Sequence, residues 1–195
     1  MSKGRLEAFS DGVLAIIITI VILMFDIPEG NDLNALKEML PLFIVYLVSF
    51  VMIGMNWANH HHMLQVTEKV NGKIIWANHL YLFTMSFYPI ATGWAGKSNF
   101  AALPTIMYVV INLVESLSYI LLERTIISSH DYVKLKNEVN GSKKEALTIG
   151  LELAALVCAF FKPVRWAAYV LLVVMSAIWV IPDIRMSRVY DESRK

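Results

Sequence analysis

The sequence predicts an all-α membrane protein with six transmembrane helices, in a single domain that covers residues 1–195. The first observation is composition: 57% of the residues are hydrophobic and only 17% are charged, which is unusual for a soluble domain. The second is that the apolar residues fall into separate segments whose lengths suit a bilayer, which takes about 20 residues to cross. These segments lie near residues 9–25, 42–57, 74–93, 103–122, 146–161 and 164–181.

The first segment combines a long aliphatic run with a single hydroxyl. From residue 13 to residue 25 the only polar side chain is that of Thr19, and polar groups inside a membrane usually face protein or water. Two interpretations stay open. Either the threonine has a function, or its hydroxyl only bonds back to its own helix. On a helical wheel, Thr19 lies at the edge of an aliphatic stripe formed by Ile16, Ile20, Leu23 and Ile27.

Two polar residues at the entrance of this segment project away from the stripe. Ser10 and Asp11 point toward neighbouring helices on the same wheel. One interpretation is a cap in the first helical turn, where a negative charge suits the helix dipole. The other is a polar layer shared with the surrounding helices.

Proline and capping residues organise the segments that follow. Asp32 precedes a short amphipathic stretch and is expected to cap a helix lying on the membrane surface. Pro89 is expected to kink or end the third segment. Only Lys162 and Pro163 separate the fifth and sixth segments, which predicts a tight helical hairpin.

Basic residues predict the orientation of the chain in the membrane. If the N-terminus is inside, thirteen of the 17 lysines and arginines fall on the inner side. Such an excess marks the cytoplasmic face, so both termini are predicted to be cytoplasmic. The inner set is Lys3, Arg5, Lys69, Lys73, Arg124, Lys134, Lys136, Lys143, Lys144, Arg185, Arg188, Arg194 and Lys195.

Three consecutive histidines, His60, His61 and His62, end the second segment at the predicted level of Asp11. Consecutive helical residues spread over about 200° of the helix surface, so the three do not chelate one ion from a regular helix. The sequence therefore favours a polar layer in which His60 or His61 meets Ser10 or Asp11, and no tightly bound metal is expected. A pH effect stays open, because histidine titrates near neutral pH.

Two acidic residues lie inside apolar segments, Glu115 in the fourth and Glu152 in the fifth. A membrane acid is expected to face the bundle, where pairing, protonation or proton relay are all open. No nucleophile–base set, phosphate-binding loop or dinucleotide motif occurs, so neither an enzyme nor a cofactor is predicted. A net charge of +1 predicts no nucleic-acid partner.

The motif RxxxFSD, formed by Arg5, Phe9, Ser10 and Asp11, resembles the hallmark of a known family. With the aliphatic helix that carries Thr19 and the histidine-rich end of the second segment, it resembles the bacterial branch of the transmembrane protein 175 family of endosomal and lysosomal potassium channels. The resemblance covers the whole chain. It implies a homotetramer in which the first helices line a central pore, without the TVGYG carbonyl filter.

The resemblance also implies roles for individual residues. Ile16 and Leu23 match bulky aliphatic pore positions, Ile20 joins them in the pore lining, and Thr19 matches a pore threonine linked to ion selection, with potassium bound transiently beside it. The implied location is the bacterial inner membrane, and the implied partners are potassium ions, lipid and other copies of the chain. A proton-coupled carrier of an ion or small solute is the alternative. The implied inner polar layer comprises Arg5, Phe9, Ser10 and Asp11, with His60 or His61.

Overall fold

A computed structural model describes residues 2–65, 67–129 and 143–180, and every regular element in these ranges is helical. The predicted basic residues Lys134, Lys136, Arg185, Arg188, Arg194 and Lys195 lie outside the described residues, as does the last residue of the sixth predicted segment. The elements are α1 (Lys3–Ile22), α2 (Leu33–Glu38), α3 (Leu40–Gln65), α4 (Gly72–Met85), α5 (Tyr88–Lys97), α6 (Ala102–Ser128), α7 (Lys143–Phe160), a 3₁₀ turn (Lys162–Val164) and α8 (Trp166–Trp179).

Three helices in the described part of the chain are long and apolar enough to cross a membrane, where the sequence predicted six. They are Leu40–Gln65, Ala102–Ser128 and Lys162–Trp179, the last of which includes the 3₁₀ turn. The other predicted spans are helical but more polar or shorter. Charged side chains occupy the first half of α1 and the first turn of α7, and the third predicted segment is divided in two.

The first helix begins and ends earlier than the predicted 9–25. It starts at Lys3 and stops at Ile22, and Leu23 is the C-cap residue, also in αR conformation. Ile27 lies outside the helix and is 92% exposed. The prediction that Ile27 continues the aliphatic stripe is therefore wrong, because the helix ends before it.

The third predicted segment is two helices, α4 and α5, separated by Ser86 and Phe87. Pro89 lies in the first turn of α5, where its missing N–H costs nothing. The α6-facing side of both helices is buried, with Tyr81 and Tyr88 fully enclosed. The break thus lets one apolar segment change direction without losing its packing.

Local capping explains the short helix α2. The Asp32 carboxylate accepts a hydrogen bond of 3.0 Å from the backbone N–H of Ala35. This N–H group lowers the pKa of Asp32, as expected for a carboxylate that caps a helix N-terminus. No residue of α2 is buried, so the helix lies on the outside of the protomer.

The helices share one apolar core. Helix α1 packs against α3, α4 and α5, while α6 packs against α4, α5 and α7. The hairpin of α7 and α8 turns through Lys162–Val164, and α8 also contacts α3. Helix α1 therefore forms one side of the bundle and α7 lies remote from it.

Two glycines of α5 allow close helix contacts. A Cβ atom at Gly93 would lie 3.0 Å from the sulfur of Met24, and one at Gly96 would lie 2.4 Å from the Cα atom of Leu42. The second neighbour is backbone, which does not move aside as a flexible side chain does. Gly96 therefore fixes the distance between α5 and the start of α3.

We expect Gly96→Ala to lower the melting temperature of the detergent-solubilised protein by roughly 5–10 °C, because overpacking costs about 1–3 kcal/mol. Gly150→Ala is the matched control. A Cβ at Gly150, in the middle of α7, meets no atom within 4 Å, and alanine favours a helix over glycine. Equal melting temperatures for the two variants would contradict the close contact.

Candidate ion pathway and inner polar layer

Helix α1 has one packed face and one uncovered face. Its buried residues are Leu6, Ser10, Leu14, Ile17 and Val21, which repeat at intervals of three and four residues. On the uncovered face, Ile16 is 58% exposed, Ile20 37% and Leu23 71%, and Thr19 is exposed beside them. The residues of the predicted pore stripe thus lie together on the part of α1 that no other helix of the protomer covers.

The hydroxyl of Thr19 is bonded within its own helix. Its Oγ1 atom donates to the carbonyl oxygens of Ala15 and Ile16, at 2.9 Å each. One hydroxyl has one proton, so the two contacts share a single donor. The lone pairs of Oγ1 are not used by these bonds, and an exposed oxygen with free lone pairs is able to approach a cation.

A chain of hydrogen bonds joins α1, α4 and α3 at the start of α1. The Ser10 hydroxyl donates to the carbonyl of Leu6 at 2.9 Å and accepts from Nδ2 of Asn78 at 3.0 Å. Nε2 of His60 lies 2.7 Å from Oδ1 of Asn78, and since this oxygen only accepts, Nε2 carries the proton. Ser10, His60 and Asn78 are all buried, so Ser10 and His60 meet through Asn78.

Asp11 has a different partner from Ser10. Its carboxylate accepts a hydrogen bond of 2.8 Å from the indole N–H of Trp57 on α3. The Trp57 ring stacks on His61, with ring centroids 5.7 Å apart, and His61 is bonded to Gln65 at 2.9 Å. His61 is therefore linked to Asp11 by way of the indole.

Arg5 and Phe9 lie on the exposed side of α1. Arg5 is exposed, and Phe9 is 48% exposed and stacks on His79 of α4 at 5.5 Å between ring centroids. The structure thus separates the predicted inner layer into two parts. Ser10 and Asp11 bind other helices of the protomer, while Arg5 and Phe9 face outward along the same side of the helix as Ile16.

Two residues that matter for this layer were not assigned to it from the sequence. Asn78 connects Ser10 with His60, and Trp57 binds Asp11. A signal was available in both cases: Asn78 is an amide within an apolar segment, and Trp57 carries an indole N–H donor close to the histidines that end the second segment.

The acids Glu115 and Glu152 lie apart from α1. Both are buried where α6 packs against α7, and the Ser116 hydroxyl donates to Oε1 of Glu152 at 2.6 Å. Neither carboxyl group therefore belongs to the uncovered face of α1. In the residues that the structure describes, no group of three or more His, Cys, Asp or Glu residues is placed to hold a metal ion.

The amino-acid sequence is similar to those of several known proteins. A family model described as the endosomal/lysosomal potassium channel TMEM175 matches residues 5–89. A protein of Chryseobacterium sp. strain P1-3, named a potassium channel, is 42% identical over 194 residues, which cover 99% of this chain and 100% of that protein. A chicken (Gallus gallus) protein, named endosomal/lysosomal proton channel TMEM175, is 36% identical over 103 residues, or 47% of this chain and 21% of that protein.

A solved structure has the same fold. The crystal structure of a lysosomal potassium-selective channel TMEM175 homolog from Chamaesiphon minutus superposes with a TM-score of 0.80 at 24% identity, covering 92% of this chain and 96% of that chain. Together with the apolar helices, the similarities identify a membrane protein. They point to an ion channel, a class of protein that is typically not enzymatic.

Proposed function

The chain belongs to the TMEM175 family, in its bacterial branch, and from this premise we propose that it forms a potassium-permeable ion channel. Four copies would assemble with α1 of each nearest the axis. The observation that carries this proposal is the uncovered face of α1, on which Ile16, Ile20 and Leu23 are exposed while the opposite face is fully packed. A helix at the edge of its own protomer is free to meet its symmetry copies.

Aliphatic rings at these positions would form the constriction. Four copies of Ile16, and four of Leu23, would meet on the axis and exclude water when the helices are close. A small outward displacement of the helices would admit water and ions. Wetting and dewetting of the aliphatic rings would therefore open and close the pore, and no carbonyl filter is needed for this step.

Thr19 would contribute oxygen atoms between these rings. Because each hydroxyl proton is directed to the carbonyls of Ala15 and Ile16, the lone pairs of Oγ1 remain for a passing cation. Four such oxygens are a weak set of ligands, and weak binding suits conduction because an ion must leave as readily as it enters. We assign the transient potassium site to this level.

The inner polar layer would hold α1 in place. The bonds of Ser10 to Asn78 and of Asp11 to Trp57 fix the start of α1 to α4 and α3. Arg5 and Phe9, which face outward, would contact neighbouring subunits. In this arrangement the layer lies at the cytoplasmic face of a bacterial inner membrane, with both termini cytoplasmic, in accord with the excess of basic residues on that side.

We expect Asp11→Ala to weaken assembly more than it alters ion selectivity. The change removes the hydrogen bond between Asp11 and the Trp57 indole, which is 44% exposed, at a cost of about 0.5–1.5 kcal/mol. It does so beside a surface groove between α1 and α3 lined by Leu14, Ile18 and Ile53. Size-exclusion chromatography in detergent and a melting curve measure the effect.

Asp11→Asn is the control for this prediction, because it keeps an acceptor oxygen and removes the charge. It should assemble better than Asp11→Ala. If the alanine variant elutes as the parent does and melts at the same temperature, Asp11 has no role in assembly.

The proposed function is tested with purified protein in planar bilayers. In mixed potassium and sodium solutions, we expect currents without any added substrate or pH gradient and a reversal potential displaced toward that of potassium. Flux that saturates and requires a pH gradient would instead favour the proton-coupled carrier. Because the chicken relative is named a proton channel, the same recordings in potassium-free solutions with a pH gradient measure proton permeation.

A further inference from the structure

The contact between α6 and α7 contains buried carboxyl groups that the ion pathway does not use. Glu115 is 3% exposed and Glu152 is 0% exposed. Oε1 of Glu115 and Oε2 of Glu152 have no hydrogen-bond partner among the described residues. A buried polar atom without a partner costs free energy, and a buried unpaired charge costs more.

The two carboxyl groups are buried at the same contact between α6 and α7. Glu152 is bonded to Ser116, the residue that follows Glu115. Two like charges in one buried site do not both stay ionised without a cation between them. The basic groups nearby are engaged elsewhere, since Arg124 pairs with Glu145 at 3.3 Å and Lys144 lies over the ring of Trp179.

A small cavity adjoins Glu115 and Ser116. It has a volume of about 20 Å³ and is also lined by Asn56, Tyr119 and Thr148. A volume above about 10–15 Å³ admits one water molecule when polar groups are present to bind it. The site therefore has room for a single water beside the unpartnered oxygen of Glu115.

We propose that Glu115 and Glu152 form a proton-binding site inside each protomer, with the proton on Glu115. The Asn56 amide interacts with the Glu115 carboxyl, but the short bond of 2.6 Å from the Ser116 hydroxyl to Glu152 favours the ionised form of Glu152 more strongly and leaves the proton to Glu115. The O–H group of Glu115 would donate to the water in the cavity. The site is independent of the α1 pathway, so it does not serve as a relay for transported ions.

Other titratable groups surround this site on the elements packed against it. These groups are Tyr81 of α4, Tyr88 of α5, Tyr119 and Arg124 of α6, and Lys144 and Glu145 of α7. The phenols are neutral and Arg124 pairs with Glu145. Two further carboxyl groups on these helices, Glu123 of α6 and Glu145 of α7, are also buried, and the variants described below distinguish them from Glu115.

Infrared spectroscopy of the detergent-solubilised full chain tests the assignment directly. At neutral pH we expect a carbonyl stretching band of a protonated carboxylic acid, with a shift in deuterated buffer. The band should disappear in Glu115→Gln and persist in Glu152→Gln. Glu29→Gln is the matched control, because Glu29 is an exposed acid in the loop before α2 and does not line the cavity of Glu115, and it should keep the band.

A folded Glu115→Gln protein that keeps the band would overturn the proposal, as would a wild-type protein without one. Loss of the band in Glu152→Gln alone would overturn the assignment of the proton to Glu115. Size-exclusion profiles establish which variants are folded, and a wild-type spectrum without the band overturns the proposal whichever variants fold.

Thermal stability against pH is the second measurement. If the folded state holds a proton that the unfolded state releases, stability falls as pH rises. We expect the melting temperature of the wild type and of Glu29→Gln to fall as pH rises from about 5 through neutral to mildly alkaline pH, and that of Glu115→Gln to fall less. Equal slopes for all three would contradict a proton held at Glu115. Potassium currents of Glu115→Gln should match those of the parent, whereas their loss would place the site in a transport relay.

Discussion

Ile16→Asn is expected to raise the open probability or the conductance of the channel by about tenfold. Ile16 is 58% exposed on the face of α1 that no other helix of the protomer covers. An amide in place of the aliphatic side chain gives water a hydrogen-bonding surface at the constriction. Lowering the dewetting barrier by ~1.4 kcal/mol would increase the rate of ion passage tenfold. Single-channel recording in planar bilayers measures the change.

The matched control is Ile22→Asn. Ile22 is also on α1 and is 47% exposed, but it projects about 120° away from Ile16 around the helix. This variant should leave the conductance unchanged and affect expression or insertion instead. If both variants act alike, or if only Ile22→Asn raises the conductance, the assignment of the pore face is wrong.

Thr19→Val is expected to abolish most of the preference for potassium over sodium while the protein still assembles. Valine has the shape of threonine and lacks its hydroxyl, so four oxygen ligands would leave the pathway together. The helix itself loses only the hydrogen bonds to Ala15 and Ile16, whose carbonyls keep their backbone partners. The reversal potential in mixed potassium and sodium measures the result.

Thr19→Ser separates the hydroxyl from the shape of the side chain. It keeps the oxygen and removes the methyl group, so its reversal potential should stay near that of the parent. A reversal potential for Thr19→Val that is identical to the parent's would remove Thr19 from ion selection. Selectivity that is lost equally in both variants would assign the effect to packing rather than to the oxygen.

The faces of α1 could be predicted from the sequence because they follow from helical geometry alone. A period of 3.6 residues places Ile16, Ile20 and Leu23 together and turns Ser10 away from them. The structure exposes the former and buries the latter. The family could also be predicted, since the RxxxFSD motif lies within the matched residues 5–89. The roles of the pore residues stay predictions.

The contacts between helices could not be predicted from the sequence, because helical periodicity gives the direction in which a side chain points and not the residue that it meets. His60 or His61 was expected to meet Ser10 or Asp11, yet the partner of Asp11 is Trp57. His60 reaches Ser10 only through Asn78. The sequence places polar side chains on both α3 and α4 near the start of α1. Which of them binds Ser10 or Asp11 depends on the distances between the helices, and the sequence does not give these distances.

Helix ends were also poorly determined by composition. The run of apolar residues continues to Phe25, but the helix stops at Ile22, since an apolar residue packs as well in a turn as in a helix. The prediction that Pro89 kinks or ends the third segment is confirmed, and the break lies just before it, at Ser86 and Phe87. Charges in the first turns of α1 and α7 explain why fewer helices than predicted are uniformly apolar.

The hydrogen bonds from α1 to other helices lie at its start, at Ser10 and Asp11, so the rest of the helix can tilt about this point. Beyond that point the packed side chains are the aliphatic Leu14, Ile17 and Val21, whose contacts have no preferred direction and permit sliding. Ile16 lies about 9 Å from Ser10 and Leu23 about 20 Å. A swing of about 5° would therefore move Leu23 by nearly 2 Å and Ile16 by less than 1 Å. The two aliphatic rings would widen unequally, with the one at Leu23 leading.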